Sequence, residues 1–286
     1  SIIANTAAQT FTINPSTFTN NGTLGVTNGT LTVSATNWSN PGGSFNVSGG
    51  ILNLGGTFTN TGWGATTRTG GVVNITGILT NTGNTLDIGG AGIFGAGGLG
   101  TLSGDIVNGT VVSNDGTVLT GSGGSLGGGG GPILNGVTFG SNLTTSGFFN
   151  ISNSLTLANA VTVNKGSGNW GFNTTGAQSI AMQGGTGSAT INSAGGIIRA
   201  GHNITGQTLQ IGAGVTLQGY GSLDTSNAAP ISGACSPSLG TMSVSSDGSH
   251  RSPLSSCGPR PHDSATPTLP WCAPPKRPCA RARAMA

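Results

Sequence analysis

The chain has 286 residues, 55 of them glycine, and only 5% of its residues are charged. Glutamate is absent, and glycine, serine, threonine and asparagine are all weak helix formers, so the composition argues against a helical fold. Disordered chains of low hydrophobicity usually carry a high net charge. The formal charge here is only +3, which argues against a disordered chain as well.

A short phrase recurs in residues 18–83 at nearly constant spacing. It consists of a large apolar residue, a hydroxyl residue, asparagine, one variable residue and glycine, and it begins at Phe18, Trp38, Phe58 and Leu79. The steps between these residues are 20, 20 and 21 residues. A fixed period in this range is typical of a solenoid, in which each repeat buries its apolar side by stacking on its neighbours.

Short alternating segments between the repeats indicate half-buried strands. Examples are residues 31–33 (Leu-Thr-Val) and 86–88 (Leu-Asp-Ile). The pattern predicts an all-β chain, a right-handed single-stranded parallel β-helix with about 20 residues per coil and three strands of three to five residues in each coil. Residues 1–229 would then give about 11 coils and a rod of about 50 Å.

Stacked coils place like residues above like residues, so the repeat predicts two structural ladders. One is apolar, and the other is a row of amide side chains that hydrogen-bond along the stack. The predicted members are Phe18, Asn20, Trp38, Asn40, Phe58, Asn60, Leu79 and Asn81. We predict no catalytic, cofactor-binding or metal site.

At about residue 230 the composition changes. Residues 230–286 hold all four cysteines, ten of the 13 prolines and only four glycines, with a net charge of +4 against −1 for residues 1–229. Proline cannot donate to a β ladder, so we expect an irregular or disordered tail. A proline-rich linker, a small disulfide or metal knot, and an out-of-frame translation all remain open. The last accounts best for the loss of every repeat feature.

The iterated corner, the alternating strands and the absence of cysteine from residues 1–229 resemble the passenger region of bacterial autotransporters and filamentous-haemagglutinin-like β-strand-repeat proteins. The resemblance covers roughly residues 10–225. It implies a non-catalytic surface adhesin or stalk, secreted or on the bacterial cell surface, with a face rich in Thr, Ser and Asn. The expected partners are cell-surface carbohydrate or another surface protein, and we expect neither nucleic-acid binding nor a membrane span. No translocator strands or signal peptide are recognisable, so we expect a mature form or a fragment.

Three other functions are considered from the sequence. A polysaccharide-acting enzyme similar to pectate lyases would depend on Asp87, Asp105 or Arg199. An ice-binding solenoid would need regular outward Thr-x-Thr rows, and a plain spacer would need no ligand.

Residues 90–95 match the dinucleotide motif G-x-G-x-x-G, but the glycines that follow cannot open the helix which that motif requires.

Overall fold

The computed structural model describes residues 1–125, 130–201 and 207–225, and the backbone alone of residues 242–245 and 252–253. The described residues form a parallel β-helix with a single 3₁₀ turn at Gln183–Gly185 and no α-helix. None of these segments is an apolar helix of membrane-spanning length. The predicted fold class is therefore confirmed for this part of the chain.

Each of the first four coils contributes three strands, and each strand pairs in parallel with its counterparts in the neighbouring coils. We call the three resulting sheets wall A (β1, β4, β7, β10), wall B (β2, β5, β8, β11) and wall C (β3, β6, β9, β12). In chain order the strands are β1 (Ile2–Ala4), β2 (Thr10–Ile13), β3 (Thr17–Thr19), β4 (Thr23–Val26), β5 (Thr30–Val33), β6 (Asn37–Ser39), β7 (Ser44–Val47), β8 (Ile51–Leu54), β9 (Thr57–Thr59), β10 (Ala65–Arg68), β11 (Val72–Ile75) and β12 (Ile78–Thr80).

The later coils continue the rod with strands of more variable length. They are β13 (Thr85–Asp87), β14 (Asp105–Val107), β15 (Thr110–Val112), β16 (Leu119–Thr120), β17 (Ile133–Phe139), β18 (Leu143–Ser146), β19 (Phe149–Leu157), β20 (Thr162–Lys165), β21 (Trp170–Phe172), β22 (Gln178–Met182), β23 (Ala189–Ala200), β24 (Thr208–Ile211) and β25 (Val215–Thr225).

Wall C can be followed through the whole described rod. It runs from β12 to β14, the first parts of β17 and β19, β21, and the last parts of β23 and β25. Since stacked coils lie ~4.8 Å apart, the first and last strands of wall C are about 43 Å apart. Beyond residue 225, β26 (Met242–Ser245) and β27 (Ser252–Pro253) pair antiparallel with β24 and β25. The rest of the predicted tail, residues 230–286, lies outside the described residues.

Coil length is constant only as far as Leu79. Strand pairing aligns Phe18 with Trp38 and Phe58 with Leu79, as the repeat predicts. The chain then takes 27 residues from Leu79 to Ile106 and 28 more to Leu134, because the glycine-rich segments 89–100 and 121–131 are inserted between strands. The predicted period of about 20 residues is therefore wrong for these coils.

Several later strands are longer than the predicted three to five residues because they bend around a corner without ending. β17 has 7 residues, β19 has 9 and β23 has 12. A residue with positive φ lies at each bend: Gly136 (φ 62°), Asn153 (φ 55°) and Gly196 (φ 70°). Glycine and asparagine adopt this left-handed conformation at low cost, so the chain turns while its hydrogen-bonded ladder continues on the next wall.

The core is a narrow column of alternating inward side chains. In β5, for example, Leu31 and Val33 are buried, while Thr30 and Thr32 point outward and are half-buried. Five large aromatic side chains pack together inside the first four coils and the insert that follows them: Trp38, Phe45, Phe58, Trp63 and Phe94.

Candidate functional site

The outer side of wall C carries two straight columns of mostly polar, uncharged side chains. Pairing aligns Thr17, Asn37 and Thr57 in one column, and the second column lies two residues further along each strand. Neighbours are ~4.8 Å apart along a column and about 6.6 Å apart along a strand. We call the outer residues of the first four strands the hydroxyl face: Thr17, Thr19, Asn37, Ser39, Thr57, Thr59, Ile78 and Thr80.

Most polar side chains of the hydroxyl face have no hydrogen-bond partner within the described chain. Thr59 is the exception, since its Oγ1 accepts from the Gly62 amide at 2.9 Å and lies 3.3 Å from the Thr61 hydroxyl. The hydroxyl and amide groups left for a ligand are those of Thr17, Thr19, Asn37, Ser39, Thr57 and Thr80.

The predicted apolar ladder lies directly behind this face. Trp38 and Phe58 stack with their ring centroids 4.4 Å apart, and the Trp38 Nε1 donates to the Gly55 carbonyl at 2.7 Å. Leu79 continues the column and is fully buried, whereas Phe18 in the first coil is half-buried. Because large side chains in register hold neighbouring strands at fixed positions, the outer columns are presented on a rigid support.

The predicted asparagine ladder forms two pairs rather than one continuous row. The Asn20 side chain donates to Asn40 Oδ1 at 2.6 Å, and Asn60 donates to Asn81 Oδ1 at 2.8 Å. Between the pairs, the Asn40 amide donates to the Trp63 carbonyl at 2.8 Å and not to Asn60. Asn40 and Asn81 are fully buried, so these amides stabilise the corner and are inaccessible to a ligand.

Wall B offers a less continuous polar surface. Its outer column begins with Thr10 and Thr30 but continues with Ile51 and Val72, which are 39% and 40% exposed. Wall B also carries a second amide ladder, which the repeat did not predict. The Asn74 side chain donates to Asn53 Oδ1 at 3.0 Å and accepts from the Thr101 amide and hydroxyl. Wall C is therefore the stronger candidate for a binding surface.

The segment 89–100 lies against β10, the last strand of wall A, and is held by Arg68. Arg68 aligns with Val47 and occupies an inward position of β10. Its guanidinium donates to the carbonyls of Phe94 and Gly98, and to that of Gly71 at 2.7 Å. The arginine therefore has a structural role, and the G-x-G-x-x-G motif at 90–95 forms a turn with no helix after it.

The residues expected for a pectate-lyase-like enzyme lie in separate places. Asp87 is on β13, which pairs with β15, whereas Asp105 is on wall C. Arg199 is on the same wall but four strands further along, about 19 Å away, where it forms a 2.8 Å ion pair with Asp224. The described chain contains no group of three or more His, Cys, Asp or Glu side chains that could hold a metal ion.

Stacking places Asp87 beside residues of the next coil, a contact that the spacing of the residues does not predict. Its carboxylate accepts from the Asn114 side chain at 2.8 Å and from the Gly89 amide at 2.8 Å. Asp115 accepts from the Gly90 amide at 2.7 Å and the Thr117 amide at 2.9 Å, and these bonds lower the pKa of Asp115 to about 2. Both carboxylates therefore stabilise the insert 89–100.

Lys165 points into the core, which was not predicted from the sequence. It lies two residues after the buried Val163 in β20, and this alternation is the signal that could have revealed its burial. Its side chain is 1% exposed, and its Nζ donates to the carbonyls of Gly168 and Gly195, both at 2.6 Å. Burial lowers the pKa of the ammonium group to about 8. Within the described chain its hydrogen-bond partners are carbonyl oxygens, with no carboxylate among them.

Comparison with protein-family models, with curated proteins and with solved structures found no match for this chain.

Proposed function

We propose that the protein is a non-catalytic, extracellular adhesin whose hydroxyl face binds uncharged polysaccharide on another surface. The observation that carries this proposal is the set of unpartnered hydroxyl and amide groups, in register over four coils, on a wall with no charged residue between Thr17 and Thr80. Sugar hydroxyls both donate and accept hydrogen bonds, as do the threonine and asparagine side chains that face them.

A regular column suits a polymeric ligand better than a small one. Each neutral hydrogen bond contributes only about 0.5–1.5 kcal/mol, so a single sugar on this open surface would bind weakly. A polysaccharide that lies along the face engages several positions at once, and each further contact is then intramolecular. The apolar ladder behind the face holds the strands in place, which limits the conformational entropy that the protein loses on binding.

Other observations favour binding over catalysis or ice recognition. Asp87, Asp105 and Arg199 are far apart or occupied by other contacts, so no pair of them is set for acid–base chemistry. On the hydroxyl face, the Thr-x-Thr row is present in β3 and β9 but is Asn-Trp-Ser in β6 and Ile-Leu-Thr in β12. Because the outer side chains differ from coil to coil, the face does not match the identical repeats of a crystalline lattice, whereas a flexible polymer can adapt to it.

The test is a binding measurement on the whole chain against an array of neutral polysaccharides, followed by titration calorimetry on the best ligand. The triple variant Thr19→Val, Thr57→Val and Thr80→Val removes three free hydroxyls but keeps the β-branched shape that suits a strand. We expect its affinity to fall at least about tenfold, because three hydrogen bonds are lost.

The matched control carries Thr12→Val, Thr30→Val and Thr32→Val on wall B, which changes the same number of hydroxyls on a different surface. We expect this control to bind like the wild type. The proposal is wrong if no neutral polysaccharide binds, or if the two triple variants lose affinity equally.

A further inference from the structure

Immediately after the hydroxyl face, wall C presents an isolated carboxylate between two isoleucines. Strand pairing aligns Asp105 of β14 with Ile78 of β12 on one side and Ile133 of β17 on the other. Ile106 between the outer positions is fully buried, so Asp105 and Val107 point outward. Ile78 is 39% exposed, while Asp105, Val107 and Ile133 are half-buried.

Asp105 differs from the other three aspartates of the described chain because its carboxylate has no hydrogen-bond or ion-pair partner there. Asp87 and Asp115 accept hydrogen bonds around the insert 89–100, and Asp224 pairs with Arg199. No cationic side chain of the described residues bonds to the Asp105 carboxylate, since Arg68 and Lys165 donate to carbonyl oxygens. The negative charge at Asp105 is therefore uncompensated within the described rod.

The surroundings of this carboxylate are apolar. The neighbouring strands β12 and β17 contain no titratable residue, and the isoleucines exclude part of the surrounding water. Partial burial raises the pKa of Asp105. A half-desolvated carboxylate gains more from a cationic donor than from a neutral one, because the two opposite charges also attract each other, and this attraction is stronger where water is partly excluded.

We propose that Asp105, Ile78 and Ile133 form a subsite for a single hexosamine residue with a free amino group within an otherwise uncharged polysaccharide. This inference rests on the proposed function and names one sugar that the wall selects. The ammonium group pairs with the Asp105 carboxylate, and the C–H side of the sugar ring contacts an isoleucine side chain. The neighbouring hydroxyl face, ending at Thr80, then binds the sugars that follow along the same wall.

Two oligosaccharides of the same length test the proposal, one a β-1,4-linked glucosamine hexamer and the other its fully N-acetylated form. Both are titrated against the whole chain by calorimetry at low and moderate salt. We expect the free-amine hexamer to bind at least about tenfold more tightly than the acetylated one, with an advantage that shrinks as salt is added.

The variant Asp105→Asn keeps the shape of the side chain and removes its charge. We expect it to abolish the preference for the free amine, so that the two hexamers bind alike. Asp115→Asn is the matched control, since it removes the same charge from an exposed carboxylate elsewhere, and it should retain the preference.

The outcomes separate this subsite from the proposed function. Equal binding of the two hexamers, or an undiminished preference in Asp105→Asn, would refute the subsite. A loss of preference in Asp115→Asn as large as in Asp105→Asn would also refute it, since net charge alone would then explain the result. If the wall C triple variant still loses neutral polysaccharide binding in those cases, the proposed function stands without the subsite. Binding of basic peptides in preference to the free-amine hexamer would refute the sugar assignment.

Discussion

The first four coils and the coils after Leu79 are built by the same strand pairing but differ in regularity. The early coils repeat every 20 or 21 residues, stack aromatic side chains and contain one charged residue, Arg68. The later coils vary in length, bend within long strands and enclose the buried Lys165. A parallel β-helix therefore needs matching strands but not matching corners, and insertions at corners change the coil length without breaking the walls.

The largest expected difference between the two regions concerns two buried tryptophans, each 1% exposed. The Trp63 ring centroid lies 5.2 Å from those of both Phe45 and Phe94, whereas the Trp170 centroid lies 6.5 Å from that of Phe139, and Trp170 is aligned with Phe149 on the neighbouring strand. We expect Trp63→Ala to lower the free energy of unfolding by about 4–5 kcal/mol and Trp170→Ala by about 3 kcal/mol. Urea unfolding followed by circular dichroism measures both.

Trp63→Phe is the control, since it keeps an aromatic ring in the cluster and should recover most of the loss. Equal losses for the two alanine variants would mean that aromatic packing does not distinguish the regions.

The second prediction concerns Arg68, which lies at the boundary between the regions. Its bonds to the carbonyls of Gly71 and Gly98 tie the insert 89–100 to wall A. We expect Arg68→Ala to cost about 2–3 kcal/mol and to accelerate amide hydrogen exchange in residues 92–98, because the buried Gly98 carbonyl and the half-buried Gly71 carbonyl lose a charged donor. Arg68→Lys keeps the charge but not the planar fork, so it should recover only part of the protection. Unchanged exchange in Arg68→Ala would contradict this role.

The third prediction is a pH dependence that comes from the later coils. The pKa of Lys165 is lowered from 10.5 to about 8 in the folded chain, so the unfolded state binds more protons between these values. Stability should therefore rise with pH from about 8 to about 10.5, by about 3 kcal/mol, and this gain is absent below pH 8. Lys165→Met should remove the rise, and the difference between the two unfolding curves isolates it from other titrating groups. A rise that persists in Lys165→Met would show that another group causes it.

The smallest expected effect compares two amides of the early coils. Asn40 is fully buried and is bonded to Asn20 and to the Trp63 carbonyl, whereas Asn20 is half-buried. We expect Asn40→Ala to cost about 2 kcal/mol and Asn20→Ala about 1 kcal/mol, because Asn40→Ala removes a fully buried side chain and leaves the Trp63 carbonyl without a donor, whereas Asn20→Ala removes only the donor to Asn40 Oδ1. Thermal unfolding of both variants decides the order, and a larger loss in Asn20→Ala would contradict the assignment of Asn40 as the buried member.

The sequence predicted the regular coils well, since Phe18, Trp38, Phe58 and Leu79 fall in the expected register. The sequence did not predict contacts in the later coils, where inserts change the number of residues between stacked positions. Asp87 lies beside Asn114 because the intervening coil contains an insert, and no period in the residues reveals such a partner. The lack of a partner at Asp105 depends on the three-dimensional position of every other charge. The interruption between Asn40 and Asn60 likewise arises from the Trp63 carbonyl, which no pattern identifies.

The most direct test of the proposed role is hydrogen exchange and hydroxyl-radical footprinting of the whole chain with and without a bound neutral polysaccharide. The account predicts protection at residues 17–19, 37–39, 57–59 and 78–80, with no change at 10–13, 30–33 and 51–54. Protection confined to wall B or to the corners, or no protection anywhere at saturating polysaccharide, would contradict a binding function for wall C.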